Sequence, residues 1–90
     1  MEILLTGGSG MLGRNLLDVA QTHGVEIAAP TRREMDLNSA DSVRSYLRQH
    51  RPGLIIHCAG HVGGIQANIA DPVGFLTLNL DMGINLVRAA

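Results

Sequence analysis

The sequence predicts the α/β class, a parallel sheet wound by helices on both faces, on three observations. Ile3-Leu4-Leu5 is a continuous apolar run rather than an alternating one, which is how strands covered on both faces look. A glycine-rich turn follows at once, and from Met11 onward apolar residues return at helical spacing. Strand-like and helix-like segments then alternate to the end of the chain.

Ninety residues make at most one domain with one modest core. At 46% hydrophobic and 17% charged the chain is too apolar for a disordered segment. Aromatic residues are 2% and the net charge is −1 with the signs interspersed, so neither base stacking nor a polybasic footprint for nucleic acid or membrane surfaces is available. A single cysteine, Cys58, excludes an internal disulfide. The amino terminus has no positively charged leader, and no run approaches the roughly 18 apolar residues of a membrane helix, so a soluble, cytoplasmic protein is expected. All seven basic residues are arginines, and the absence of lysine excludes a P-loop.

Met1 to Thr6 reads as the first strand and Met11 to about His23 as a helix whose apolar side carries Leu12, Leu16, Val19 and Ala20, with Gly24 as its stop. Val25 to Ala29 makes a second strand that Pro30 ends, and Thr31 to Asn38 is a charged loop. Ser39 caps a helix to about His50, with Asp41 at its positive end and Arg48 and His50 at its negative end. Arg51-Pro52-Gly53 turns into a third strand, Leu54 to about Cys58, and a glycine-rich loop follows. Asp71-Pro72 opens a last helix whose apolar residues, from Phe75 to Val87, surround most of its circumference and call for burial on several sides. This β-α-β-α-β-loop-α order is the amino-terminal half of a Rossmann-like doubly wound sheet, truncated. In the strand order 3-2-1-4-5-6 the three strands form one wing, with the first strand at an open edge. Because the chain stops in a helical pattern without a cap, an amino-terminal piece of something longer is expected, prone to aggregate by itself.

Gly8-x-Gly10-x-x-Gly13 lies between a strand and a helix, the context a dinucleotide-binding turn requires. Gly7 and Gly8 allow the tight turn, Gly10 lets backbone approach a pyrophosphate, and Gly13 lets helix and strand pack closely, leaving N–H groups at the helix start for phosphate. Ser9 is not a hydrolase nucleophile, since the elbow motif needs glycine where Met11 stands, and it reads instead as a small phosphate-facing residue. The second strand ends without the acid that holds an NAD ribose, and Arg32 and Arg33 follow, with Glu34 beside them to neutralise one; a guanidinium matches a 2′-phosphate, so NADP(H) is favoured as cofactor. His57 and His61 flank Cys58, but alternation sends His57 and Cys58 to opposite faces, so no metal site is expected and His57 reads as core-facing with a hydrogen-bonded ring. Ala59-Gly60 leaves room for a cofactor, and Tyr46 reads as a packing residue.

Thr6-Gly7-x-x-Gly10-x-x-Gly13, Asp36-Leu37, His57-x-Ala59, Asn79 and Asn85-Leu86-Val87-Arg88 together resemble the amino-terminal part of extended short-chain dehydrogenases/reductases. Val62-Gly63-Gly64-Ile65-x-Ala67-Asn68, Pro72, Phe75 and Asn79-Leu80 are similar to the GDP-L-fucose synthase family within them, with departures at Gly60 and His61. The resemblance implies that Gly7, Gly8, Ser9, Gly10, Met11, Leu12 and Gly13 line the pyrophosphate, Arg32 lies near the 2′-phosphate and Asp36 and Leu37 flank the adenine. Ala59 and Gly60 would lie on the ribose and diphosphate side, with Asn79 below the nicotinamide. It further implies NADPH-dependent epimerisation and reduction of GDP-4-keto-6-deoxymannose, a GDP-sugar substrate and a homodimer in the full-length protein, with the Tyr-x-x-x-Lys proton donor outside these residues. Two other readings stay open: a different sugar-nucleotide epimerase or dehydratase of the extended family, and a non-catalytic NADP-sensing module.

Overall fold

The computed structural model describes residues 2–59 and 72–90, with the backbone alone at 72, 75 and 76. The elements are β1 (Ile3–Thr6), α1 (Met11–Thr22), β2 (Ile27–Ala28), α2 (Ala40–His50), β3 (Leu54–His57) and α3 (Pro72–Ala89). The expected N-cap Asp71 and the loop before it lie outside the described residues. Both β2 and β3 pair with β1 in parallel, so the sheet order is β2-β1-β3.

That order corrects the expected wing, in which β1 stood at an edge. The peptide N–H groups of Gly53 and Leu54 donate to the Glu2 carbonyl, at 2.8 and 3.4 Å, so the chain leaving α2 is anchored at the foot of β1 and enters the sheet beside it. Leu4 and Leu5, both fully buried, show what the central position means. Successive side chains of a strand face opposite ways. Leu4 packs with Met35, Val43, Tyr46, Leu47 and Leu86 under α2 and α3, joined by Ile55 of its β3 partner position, whereas Leu5 turns toward Leu17 of α1. The open edges of the described sheet are β2 and β3.

Strand β2 is shorter than the expected Val25 to Ala29. The end of α1 consumes the first of those residues: Gly24, at φ +70°, donates to Gln21 and Val25 donates 2.8 Å to Ala20, the paired bonds of a Schellman stop. Pro30 has no N–H to extend the other end. Helix α2 is capped as read, with Ser39 Oγ accepting the Ser42 N–H at 3.2 Å. It ends at Arg51 in the left-handed region, φ 44°, whose N–H donates to Leu47.

Two helix faces depart from expectation. On α1, Gly13 is buried and Leu16, Leu17 and Ala20 are half-buried, while Leu12 and Val19, expected inward, are exposed. On α3, Met82 and Leu86 are buried and Ala89 packs beside them at the same helical spacing, but Val73, Leu80, Ile84 and Val87 are exposed, so among the described side chains of this helix one side is covered rather than several. Tyr46 is a packing residue as expected: its ring stacks on His50 with centroids 4.0 Å apart, and His50 Nδ1 lies 3.5 Å from Glu2 Oε1. No helix of the described residues is long and apolar enough to cross a membrane.

Since Leu4 is the only β1 side chain in the α2–α3 cluster, Leu4→Ala is expected to cost about 2–5 kcal/mol. Urea unfolding that shows a loss below about 1 kcal/mol would contradict the placement of that core.

Candidate dinucleotide-binding site

The site grows out of the end of β1. Gly7, at φ +75°, turns the chain out of the strand, and Gly10 closes the turn by donating 3.1 Å to the Gly7 carbonyl. Gly7 has no room on either side. A Cβ on it would stand 2.6 Å from the Ala59 nitrogen, and a Cβ on Gly13 would stand 2.1 Å from the Gly7 oxygen, so backbone meets backbone from the chain just past β3 and from α1. Gly8 is nearly as confined, its Cβ position lying 3.0 Å from Ala29 and 3.3 Å from Leu17. Gly10 is different: among the described residues a Cβ there meets only the Gly7 oxygen, at an ordinary 3.5 Å.

Gly10 is also the N-cap of α1, and among the described residues no side chain caps the helix or places an acid in its first turn. The first-turn N–H groups of a helix have no partner inside it and carry its positive end. An uncapped start at a strand's carboxyl end therefore offers donors to an anion.

The turn opens on a cleft of about 490 Å³ at the carboxyl ends of all three strands, floored by Thr6, Gly7 and Ala59, with Gly8 and Ser9 on the α1 side and Ala29 to Arg32 and Met35 to Asn38 on the other. Its far wall is pinned. Asp36 N–H donates to Ser42 Oγ at 2.9 Å, Asp36 Oδ1 accepts the Asn38 N–H at 3.0 Å, and the Asn85 amide donates to the Leu37 carbonyl at 2.8 Å.

Of the residues singled out in the sequence, Gly7, Gly8, Ser9, Arg32, Asp36, Leu37 and Ala59 come together around this cleft. Gly10, Met11 and Leu12 stand exposed at the helix start and do not line it, and Gly13 is buried beneath the turn. Asn79 is half-buried on α3 and does not line it either, and Gly60 and His61 lie outside the described residues. Leu17, Ala29, Pro30, Thr31, Met35 and Asn38 are not singled out by the sequence, and Thr6 only as part of the family pattern, yet all line the same space; the run between β2 and α2 reads as a charged loop, which hides that Met35 folds inward.

Glu34 does not neutralise a neighbouring arginine as expected. Its carboxylate accepts the Thr31 N–H at 3.0 Å, a bond that lowers its pKa from the ordinary value, and Arg32 Nε instead lies 4.0 Å from Asp36 Oδ1. The arginine's side chain is 78% exposed and free to turn, so the pair is weak. His57 is corrected too: its ring is hydrogen-bonded, to Thr6, but exposed rather than core-facing.

Residues 3–90 match the NAD dependent epimerase/dehydratase family. The chain belongs to that family. It is 49% identical over 90 residues to GDP-L-colitose synthase of Yersinia pseudotuberculosis, covering 100% of this chain and 29% of the relative. It is 48% identical over 89 residues to GDP-L-fucose synthase of Azorhizobium caulinodans, covering 99% and 28%. MlghC, a GDP-mannoheptose C4 reductase from Campylobacter jejuni with NADP bound, is 26% identical with a TM-score of 0.89, over 98% of this chain and 26% of that one. The chain thus spans less than a third of the length of these epimerase/dehydratase relatives.

In this family member Gly10 and Gly13 are expected to differ sharply in their tolerance of a methyl group. Gly13→Ala is expected to destabilise the chain by more than about 2 kcal/mol, because backbone must move to admit the methyl. Gly10→Ala is expected to stay within about 1 kcal/mol of wild type. Chemical denaturation of both variants checks this; equal losses would contradict the packing at Gly7.

Proposed function

We propose that the chain forms the NADP(H)-binding part of a nucleotide-sugar epimerase/reductase that converts GDP-4-keto-6-deoxymannose to GDP-L-fucose, without catalysing the reaction alone. The observation that carries this reading is the uncapped start of α1 standing over the glycine turn, beside a cleft entered from the end of β2 by an arginine and not an acid. The cleft's residues fit the cofactor. The amides after Gly10 face a pyrophosphate with no Cβ in the way, Ser9 adds a hydroxyl, and Arg32, only loosely held by Asp36, is free to meet a 2′-phosphate. Asp36 and Leu37 take the adenine side and Ala59 the ribose and diphosphate, and the family resemblance adds Gly60, outside the described residues, beside Ala59 and Asn79, outside the cleft's lining, at the nicotinamide end.

When bound, the cofactor supplies the hydride that reduces the 4-keto carbon. The chain's own residues bind and orient it. They do not supply the proton for the keto oxygen: lysine is absent, and Tyr46 is buried in the α2 core, where burial and the nearby Glu2 and Glu34 charges push its hydroxyl pKa up, the wrong direction for an acid. The tyrosine and lysine pair of the whole enzyme, its homodimeric state and its place in the cytoplasm belong to this reading. A second substrate, the GDP-linked sugar of a colitose synthase, is favoured equally by the 49% identity to that relative and leaves the cofactor roles unchanged.

Arg32→Ala is expected to weaken NADPH about tenfold, roughly 1.4 kcal/mol, and to leave NADH nearly unaltered. Titration of both nucleotides checks it, and equal losses for the two would defeat the 2′-phosphate assignment.

A further inference from the structure

One hydroxyl closes the floor of the cleft. Thr6 is 1% exposed at the end of β1, and its Oγ1 lies 3.1 Å from the Cys58 nitrogen, 3.2 Å from the Ala59 nitrogen and 2.6 Å from His57 Nδ1. The two amides can only donate, Cys58 sharing its N–H with the Thr6 carbonyl, also at 3.1 Å. A hydroxyl has two acceptor lone pairs and one proton. With amides on both lone pairs, the proton goes to His57 Nδ1, which leaves the ring proton on Nε2. The opposite tautomer would set three donors on one oxygen and strand the hydroxyl proton, at a place where no buried side-chain polar atom among the described residues lacks a partner.

We propose that His57 is a positioning residue of the cleft: by accepting the Thr6 hydroxyl proton it turns the Thr6 lone pairs onto Cys58 and Ala59 and so sets Ala59 against Gly7. Its consequence for binding rests on the reading of the cleft as an NADP(H) site. Without that acceptor the hydroxyl is free to rotate among its staggered positions, and only one of them aims the lone pairs at both amides. The contact it sets has no slack, since a Cβ on Gly7 would reach to 2.6 Å from the Ala59 nitrogen, and Ala59 lines the cleft. His57 is exposed as a residue, and its side-chain hydrogen bond among the described residues is the one at Nδ1.

The test compares the full chain with His57→Phe, which keeps a ring but removes the acceptor, and with His57→Asn, whose Oδ1 stands the same number of bonds from the backbone as Nδ1. Long-range ¹⁵N spectra of the wild type are expected to show a protonated Nε2 and a bare Nδ1; a protonated Nδ1 overturns the proposal whether or not any variant folds. Amide exchange at Ala59 is expected to quicken in His57→Phe and to recover in His57→Asn. NADPH is expected to bind about five- to tenfold more weakly to His57→Phe and within about twofold of wild type to His57→Asn, with Thr6→Val as weak as the double variant Thr6→Val/His57→Phe. Wild-type exchange in His57→Phe, or no recovery in His57→Asn, overturns the role of His57. The expected tautomer and exchange pattern in a chain that binds no NADPH supports the clamp and defeats the cofactor reading instead.

Discussion

Everything at the top of this sheet is organised by a place where three stretches of backbone touch with no side chain between them. Gly7 is pressed by Ala59, just past the end of β3, and carries the Gly13 backbone of α1 on its carbonyl. That contact fixes how far α1 can lie from the sheet, and so where its uncapped start points. It also explains why the order β2-β1-β3 matters, because only a β1 flanked by β3 can bring Ala59 to Gly7. Positive φ at Gly7 and close packing at Gly13 are separate reasons for glycine, and they act at the same point.

The parts of the fold legible in the sequence were those governed by local rules. The Ser39 cap, the Gly24 stop and the continuous Ile3-Leu4-Leu5 run each declare a local preference that the structure honours. Strand order is not local. It depends on the Glu2 carbonyl accepting from Gly53 and Leu54, a pairing across fifty residues with no sequence signature. Met35 was hidden for a related reason: one apolar residue among charges has no periodicity to betray that it enters the core. On α1, helical spacing alone admits either of two adjacent apolar stripes, and the buried Gly13 decides that the inward one runs through Leu17 and not through Leu12 and Val19.

The site divides along the same line. Glycine spacing made the turn readable, because those positions are chosen by sterics that the residue type itself records. The wall between β2 and α2 was readable only at Arg32, Asp36 and Leu37; the bonds that hold it, from Ser42 and from Asn85, come from helices whose polar residues look like ordinary surface. Thr6 was visible as part of a family pattern, but its grip on Cys58 and Ala59 needed the third strand alongside. Membership of the NAD dependent epimerase/dehydratase family agrees with a chain whose first glycine turn meets the carboxyl ends of the strands at one cleft.

In the proposed function, amides between β1 and α1 hold the paired phosphates of a dinucleotide. The most direct measurement is a titration of the ¹⁵N-labelled full chain with NADPH, followed by amide resonances. The largest shifts are expected on the amides from Gly8 to Gly13, with the loop at Arg32 moving in step. Saturable binding that leaves those amides unmoved while perturbing another surface would contradict it.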